Sequence, residues 1–112
     1  MLGIYKQETL LRYWKGALKR TRTPGIYETE GTTKELDQKR VTVKFFHPWS
    51  SWRWYVAEWD GEDLCFGFVR GHCDEWGYFS LRELAKIMVN HCQIERDLYF
   101  KPQTVAEVKA KD

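Results

Sequence analysis

The spacing of apolar positions changes along the chain, and each change marks an element. From Glu8 to Arg20, Leu10, Tyr13, Trp14, Ala17 and Leu18 recur at i, i+3, i+4, i+7 and i+8. That is one face of a 3.6-residue period, so the segment predicts an amphipathic helix. Lys19 and Arg20 stand at its C-terminal end, where the helix dipole favours cations. Thr23-Pro24-Gly25 ends it. Ile26 to Glu30 reads as a short extended piece and Gly31 to Arg40 as a polar loop with room for a turn of helix.

The period then drops to two. Val41, Val43 and Phe45 alternate with Thr42, Lys44 and Phe46, and His47-Pro48-Trp49-Ser50-Ser51 makes a turn. Trp52 to Trp59 is dense in residues that suit a pleated surface. Asp60-Gly61 is a hairpin signal, with Leu64 to Val69 as the returning strand. Further strands are expected at Glu75 to Phe79 and Ile94 to Phe100. Ser80-Leu81-Arg82-Glu83 has the spacing of a capping box, and Leu81, Leu84, Ala85 and Met88 follow it as an apolar stripe. A helix over Ser80 to Asn90 is therefore expected. Thr104 to Glu107 can cap a short C-terminal helix. The expected architecture is α+β: an antiparallel meander of about four to six strands with helices packed on one face. Residues 1–23 form a basic amphipathic helix and connector, 24–102 a single α+β domain, and 103–112 a short C-terminal helix or tail.

Composition narrows the class. The chain has 112 residues, 43% hydrophobic and 16% aromatic, a composition that argues against disorder over its whole length. No apolar run approaches the roughly 20 residues that a bilayer core demands, so no membrane partner is expected. The formal net charge is only +2. The charge is unevenly placed, however: Lys6, Arg12, Lys15, Lys19, Arg20 and Arg22 are opposed in the first 23 residues by Glu8 alone. Such a basic arm makes nucleic acid a candidate partner through Arg12, Lys15, Lys19, Arg20 and Arg22. Cys65, Cys73 and Cys92 are odd in number and follow no signal peptide, which reads as a cytoplasmic protein with free thiols.

Several residue groups could carry chemistry. Glu58, Asp60, Glu75, Glu95 and Asp97, with Glu62 and Asp63 near the Asp60-Gly61 turn, form an acidic set of the kind that holds Mg²⁺ in metal-dependent nucleases. Solvated turn residues and cross-strand ion pairs account for the same pattern. His72-Cys73 and His91-Cys92 are zinc-ligand types, but adjacent residues on a strand cannot both face one ion, and there is no Cys-x-x-Cys. No metal and no cofactor is expected. Nucleophilic catalysis has no local signature.

Trp52, Arg53, Trp54, Tyr55 and Trp59 crowd one hairpin. Strict alternation puts Trp52, Trp54 and Val56 on one side and Arg53, Tyr55, Ala57 and Trp59 on the other. One side must be core. The other either exposes large rings to a partner or is covered by the N-terminal helix.

Several strings of residues resemble a known family. They are Val43-Lys44-Phe45-Phe46-x-Pro48, Trp52-x-Trp54-Tyr55-x-x-Glu58-x-Asp60-Gly61-Glu62-Asp63, Phe66-Gly67-x-Val69, Glu75-x-Gly77-Tyr78-Phe79-Ser80-Leu81-x-Glu83-Leu84 and Glu95-Arg96-Asp97-Leu98-Tyr99-Phe100-Lys101-Pro102. With Pro24-Gly25-Ile26-Tyr27-x-Thr29-Glu30 as an opening motif, the run from about Thr23 to Val108 resembles a family of small bacterial proteins, domain of unknown function 2958. The resemblance implies a setting on plasmids, phages and integrative elements and brings no settled activity. The helix before Arg20 and the three cysteines lie outside its motifs.

The expected function is a non-enzymatic accessory module. It would bind a host or element-encoded protein through Trp52, Arg53, Trp54, Tyr55, Trp59, Glu62 and Asp63. The alternatives are a metal-dependent enzyme acting on nucleic acid and a nucleic-acid binder that uses the basic helix.

Overall fold

A computed structural model describes residues 4–111. The first three residues of the expected basic segment, and Asp112 of the expected tail, lie outside the described residues. The elements are α1 (Gln7–Arg20), a 3-10 turn (Leu36–Gln38), β1 (Arg40–Val41), β2 (Val43–Phe46), β3 (Arg53–Trp59), β4 (Leu64–Arg70), β5 (Asp74–Ser80), α2 (Leu81–Lys86), β6 (Met88–Val89), β7 (Cys92–Gln93), β8 (Glu95–Arg96), β9 (Gln103–Thr104) and α3 (Val105–Lys111). The protein is α+β. Strands β2 to β5 form an antiparallel meander, and β8 returns beside β2 to give the order β5-β4-β3-β2-β8. Among the described residues, no helix is long and apolar enough to cross a membrane.

Both faces of this sheet are covered. Leu10, Trp14, Ala17 and Leu18 of α1 and Leu81, Leu84 and Ala85 of α2 pack with Val43, Phe45, Trp54 and Val56. Fully burying a ring such as Phe45 stabilises the fold by about 1.5–3 kcal/mol. The expectation of helices on one face holds for α1 and α2. It does not hold for α3, whose Val105 and Val108 pack with Tyr55, Ala57 and Phe68 on the opposite face. A Thr104–Glu107 capping box starts α3: Glu107 N–H donates to Thr104 Oγ1 (3.1 Å) and Thr104 N–H to Glu107 Oε1 (3.0 Å). The Lys109 ammonium then ties α3 to Asp37 at 2.7 Å.

Strict alternation fails in β3. Val56 pairs with Gly67, but Glu58 pairs with Phe66, so Ala57 is an extra residue in a β-bulge. The bulge shifts the parity. Trp59 therefore joins the face of Trp54 and Val56, not that of Tyr55 as alternation predicts. Glu58 turns instead toward Phe66 and Tyr78.

Two other expectations are corrected. The helix expected to reach Asn90 stops at Lys86, where Ile87 turns extended (φ −69°, ψ 127°), and Asn90 and His91, at φ of 52° and 61°, then turn the chain into the β6–β7 hairpin. The Ile26–Glu30 segment is a turn and not an extended piece, since Tyr27 takes φ 70° and Glu28 N–H bonds to Gly25 O.

Candidate binding surfaces

The aromatic hairpin is mostly core. Trp54, Tyr55 and Trp59 are 8%, 2% and 6% exposed, so these rings are not a display surface. Tyr55 is enclosed by Phe68 and Phe100, and this burial raises the phenol's pKa. Arg53 is half-buried and donates to Ser51 O. The exposed indole of the region is Trp49, in the turn between β2 and β3, at 71%.

Trp52 and Trp54 stack with centroids 5.8 Å apart and form one wall of an apolar groove of about 420 Å³. Ile87 at the end of α2, Val89 of β6 and Ile94 between β7 and β8 form the rest with His47 and Ser50. The Trp52 ring fits because residue 71 is glycine: a Cβ there would stand 2.4 Å from Trp52 Cη2. His72 closes on Trp52 edge-to-face at 5.4 Å.

His47 also lines the groove. It is buried, and its Nδ1 accepts from Trp49 N–H at 3.2 Å. In the neutral ring the proton then sits on Nε2, which has no partner among the described residues. Sequence reading missed the far wall, because Ile87 and Val89 sat on an expected helix.

The acidic residues are dispersed into separate structural tasks. Asp60 Oδ1 accepts from the backbone N–H groups of Glu62, Asp63 and Leu64 and holds the hairpin turn. Burial opposes its charge, but those bonds prevail and lower its pKa. Asp63 caps α2: Arg82 N–H donates to its Oδ1 (2.8 Å) and Ser80 Oγ–H to its Oδ2 (2.6 Å). Glu58 accepts from Tyr27 N–H (2.9 Å), from Thr29 N–H (3.0 Å) and from the Thr29 hydroxyl. Asp97 pairs with Lys44 at 3.4 Å and accepts from Tyr99 N–H. Glu62, Glu75 and Glu95 are exposed. Among the described residues, no group of three or more His, Cys, Asp or Glu side chains is placed to hold a metal ion.

Cys65, Cys73 and Cys92 are free thiols in different surroundings. Burial, with the Asp60 and Asp63 charges, pushes the Cys65 pKa far up. Cys73 is exposed. With a thiol-specific disulfide reagent at neutral pH, Cys73 is expected to react at once and Cys65 only after unfolding. Peptide mapping of the labelled native protein checks this, and early labelling of Cys65 contradicts it.

The candidate cations of the basic segment are split by α1. Lys15 is half-buried, whereas Arg12, Lys19, Arg20 and Arg22 are exposed. Arg12 lies over the Tyr13 ring at 5.6 Å. Arg12 and Arg20 reach a cleft of about 580 Å³ between α1 and β8, which also includes Tyr5, Tyr13 and Arg96. Sequence reading placed Arg96 opposite its two acidic neighbours but did not bring it to the basic helix.

No curated protein and no solved structure matches the chain. Residues 20–111 match the family described as protein of unknown function, DUF2958, a stretch that starts at the last residue of α1 and ends with α3. The chain belongs to the DUF2958 family.

Proposed function

We propose that the protein is a non-enzymatic module that binds another protein, as an accessory factor of a bacterial plasmid, phage or integrative element. The genetic setting follows from the family resemblance. The apolar groove beside Trp49 carries the binding reading. Its walls include Trp52, Trp54, Ile87, Val89 and Ile94, and Trp49 and Met88, which lie next in the chain to residues that line it, are 71% and 44% exposed. Apolar side chains gathered in this way mark interaction sites, and Trp is a frequent energetic anchor there. An aliphatic side chain of the partner would fill the groove. A backbone carbonyl beside it would accept from His47 Nε2–H, which otherwise stays buried and unsatisfied.

The reading leaves Tyr55 and Trp59 as scaffold and keeps Trp52 and Trp54 as walls of the groove. Glu62 and Asp63 lie at the β3–β4 hairpin end and add nothing to this groove.

The test uses two substitutions at exposed positions, Trp49→Ala and Val89→Asp. Proteins captured from a bacterial lysate by the wild type are purified and titrated calorimetrically against each variant. Each substitution is expected to weaken the complex by about 2 kcal/mol, the scale of a hot-spot residue. A purified partner that binds both folded variants as tightly as the wild type would remove the groove from the interface. Equal loss with Glu62→Ala would move the interface to the acidic turn.

A further inference from the structure

The cleft between α1 and β8 is independent of the apolar groove and has the opposite chemistry. Tyr13, Gly16 and Arg20 run along one line of α1 at i, i+3 and i+7, so the ring and the guanidinium face the same side. The glycine leaves room there: a Cβ at residue 16 would lie 3.1 Å from Arg20 Nη1. Arg96 projects into the same space from β8, which is held by pairing with Phe45. Trp14, packed on Phe45 at 4.7 Å, is the buried floor.

The cleft holds more positive than negative charge, three arginines against Glu95. Among the described residues, none of Arg12, Arg20 and Arg96 makes an ion pair. Burial and the neighbouring Arg20 guanidinium act against the charge on Arg96 and outweigh the favourable Asp97 carboxylate, so its pKa is lowered. Gathering three arginines with no ion pair among them costs folding energy, and an anion in the cleft would relieve it. Glu95 also lines the cleft but pairs with none of the three arginines.

The rings are placed as well as the charges. Tyr5 and Tyr13 meet edge-to-face at 6.4 Å and are each about half exposed. Two reciprocal bonds fix Tyr5: its N–H donates to Gln93 Oε1 (2.9 Å), and Gln93 Nε2–H donates to its carbonyl (2.7 Å). Half-exposed aromatic faces beside arginines suit unstacked bases and phosphates. Duplex bases keep their faces covered and cannot stack there. The backbone positions of Arg12 and Arg20 are also about 12 Å apart along the helix axis, so the two side chains enter the cleft from different turns. A strand with successive phosphates fits this spacing better than a mononucleotide.

We infer that the α1–β8 cleft is a binding site for single-stranded nucleic acid, with Arg12, Arg20 and Arg96 on phosphates and Tyr5 and Tyr13 stacking on bases. The Glu95 carboxylate is then an acceptor for a base N–H group and not a phosphate contact.

The test is fluorescence anisotropy with the full chain and labelled oligothymidylate or oligouridylate of about a dozen residues in about 50 mM salt. Binding of either strand is expected, with log K falling against log salt at a slope of about −2, the value for three phosphate contacts to a single strand. Arg20→Gln and Arg96→Gln should each weaken binding roughly five- to tenfold and flatten the slope by about 0.7. Tyr13→Ala should weaken it about fivefold or more without changing the slope. Arg82→Gln, on the exposed face of α2, removes the same charge away from the cleft and should change affinity less than about twofold. No binding of either strand overturns the inference, as does tighter binding of a duplex. Equal losses in Arg82→Gln and Arg20→Gln, or competition by a mononucleotide as effective as the oligomer, overturn it too.

Discussion

Gly67→Ala is expected to lower stability by about 3 kcal/mol, which for a chain of this size shifts the thermal midpoint by roughly 10 °C or more. A Cβ at residue 67 would stand 1.8 Å from the Tyr55 carbonyl oxygen and 2.9 Å from its carbon. Both are backbone atoms of the central strand, so no side chain can swing aside. The clash arises at the bulge, where Gly67 faces Val56 just before Ala57 is left over. Relief requires β3 and β4 to separate at the point where Tyr55 and Val56 anchor the two faces of the core. Gly77, paired with Gly67 on the next strand, is the internal control. A Cβ there meets nothing within 4 Å, so Gly77→Ala should be neutral or stabilise by up to about 1 kcal/mol. Thermal unfolding of the two variants against the wild type measures the contrast. Equal midpoints for both would mean that the strands are not this close.

The bulge also explains which features could be read from the sequence. Wherever local chemistry alone decides the structure, reading succeeds. The apolar stripe of α1, the Asp60-Gly61 hairpin and the Thr104–Glu107 box each depend on residues a few positions apart, and all three form. Features set by distant partners were not legible. Ala57 carries no mark of a bulge, because the extra residue is defined against β4. Without the bulge, Trp59 falls on the wrong face and the indoles look more numerous than the core can use. Arg96 could be assigned to a face but not to the neighbourhood of α1, since the contact spans most of the chain. The Ser80 cap is intermediate. Its bond to Glu83 N–H forms at 3.2 Å as the motif predicts. Asp63 completes the cap from the β3–β4 hairpin, a contribution that only tertiary structure brings in. The acidic set misleads for a related reason: identity and spacing suggest ligands, while partners elsewhere in the chain engage Glu58 and Asp63, and the hairpin's own backbone engages Asp60.

Glu58→Ala is expected to cost about 3 kcal/mol, because it strands three donors at once. Glu58 is 3% exposed, and its two oxygens take the N–H groups of Tyr27 and Thr29 and the Thr29 hydroxyl. Buried Lys39 donates in turn to the carbonyl and hydroxyl of Thr29, so the same residue links carboxylate and ammonium. This arrangement holds Tyr27 at φ 70°, a conformation that a non-glycine side chain adopts only under constraint. Burial works against the Glu58 charge. The Thr29 hydroxyl, the two backbone N–H groups and the Lys39 charge outweigh it, and the pKa falls below the ordinary 4.5. A depressed carboxylate contributes stability that is present above its unfolded pKa and lost as pH falls through the folded one. Asp37 follows the same direction, lowered chiefly by Lys109, and so does Asp60. The wild type should therefore lose stability steeply as pH drops below the usual carboxylate range. Glu58→Gln isolates the share of this one residue. The stability gap between wild type and Glu58→Gln should be widest near neutral pH and should close as Glu58 becomes protonated. Urea unfolding at a series of pH values measures that gap. A gap that stays constant across the acid range would show that the glutamate acts through its shape and not its charge.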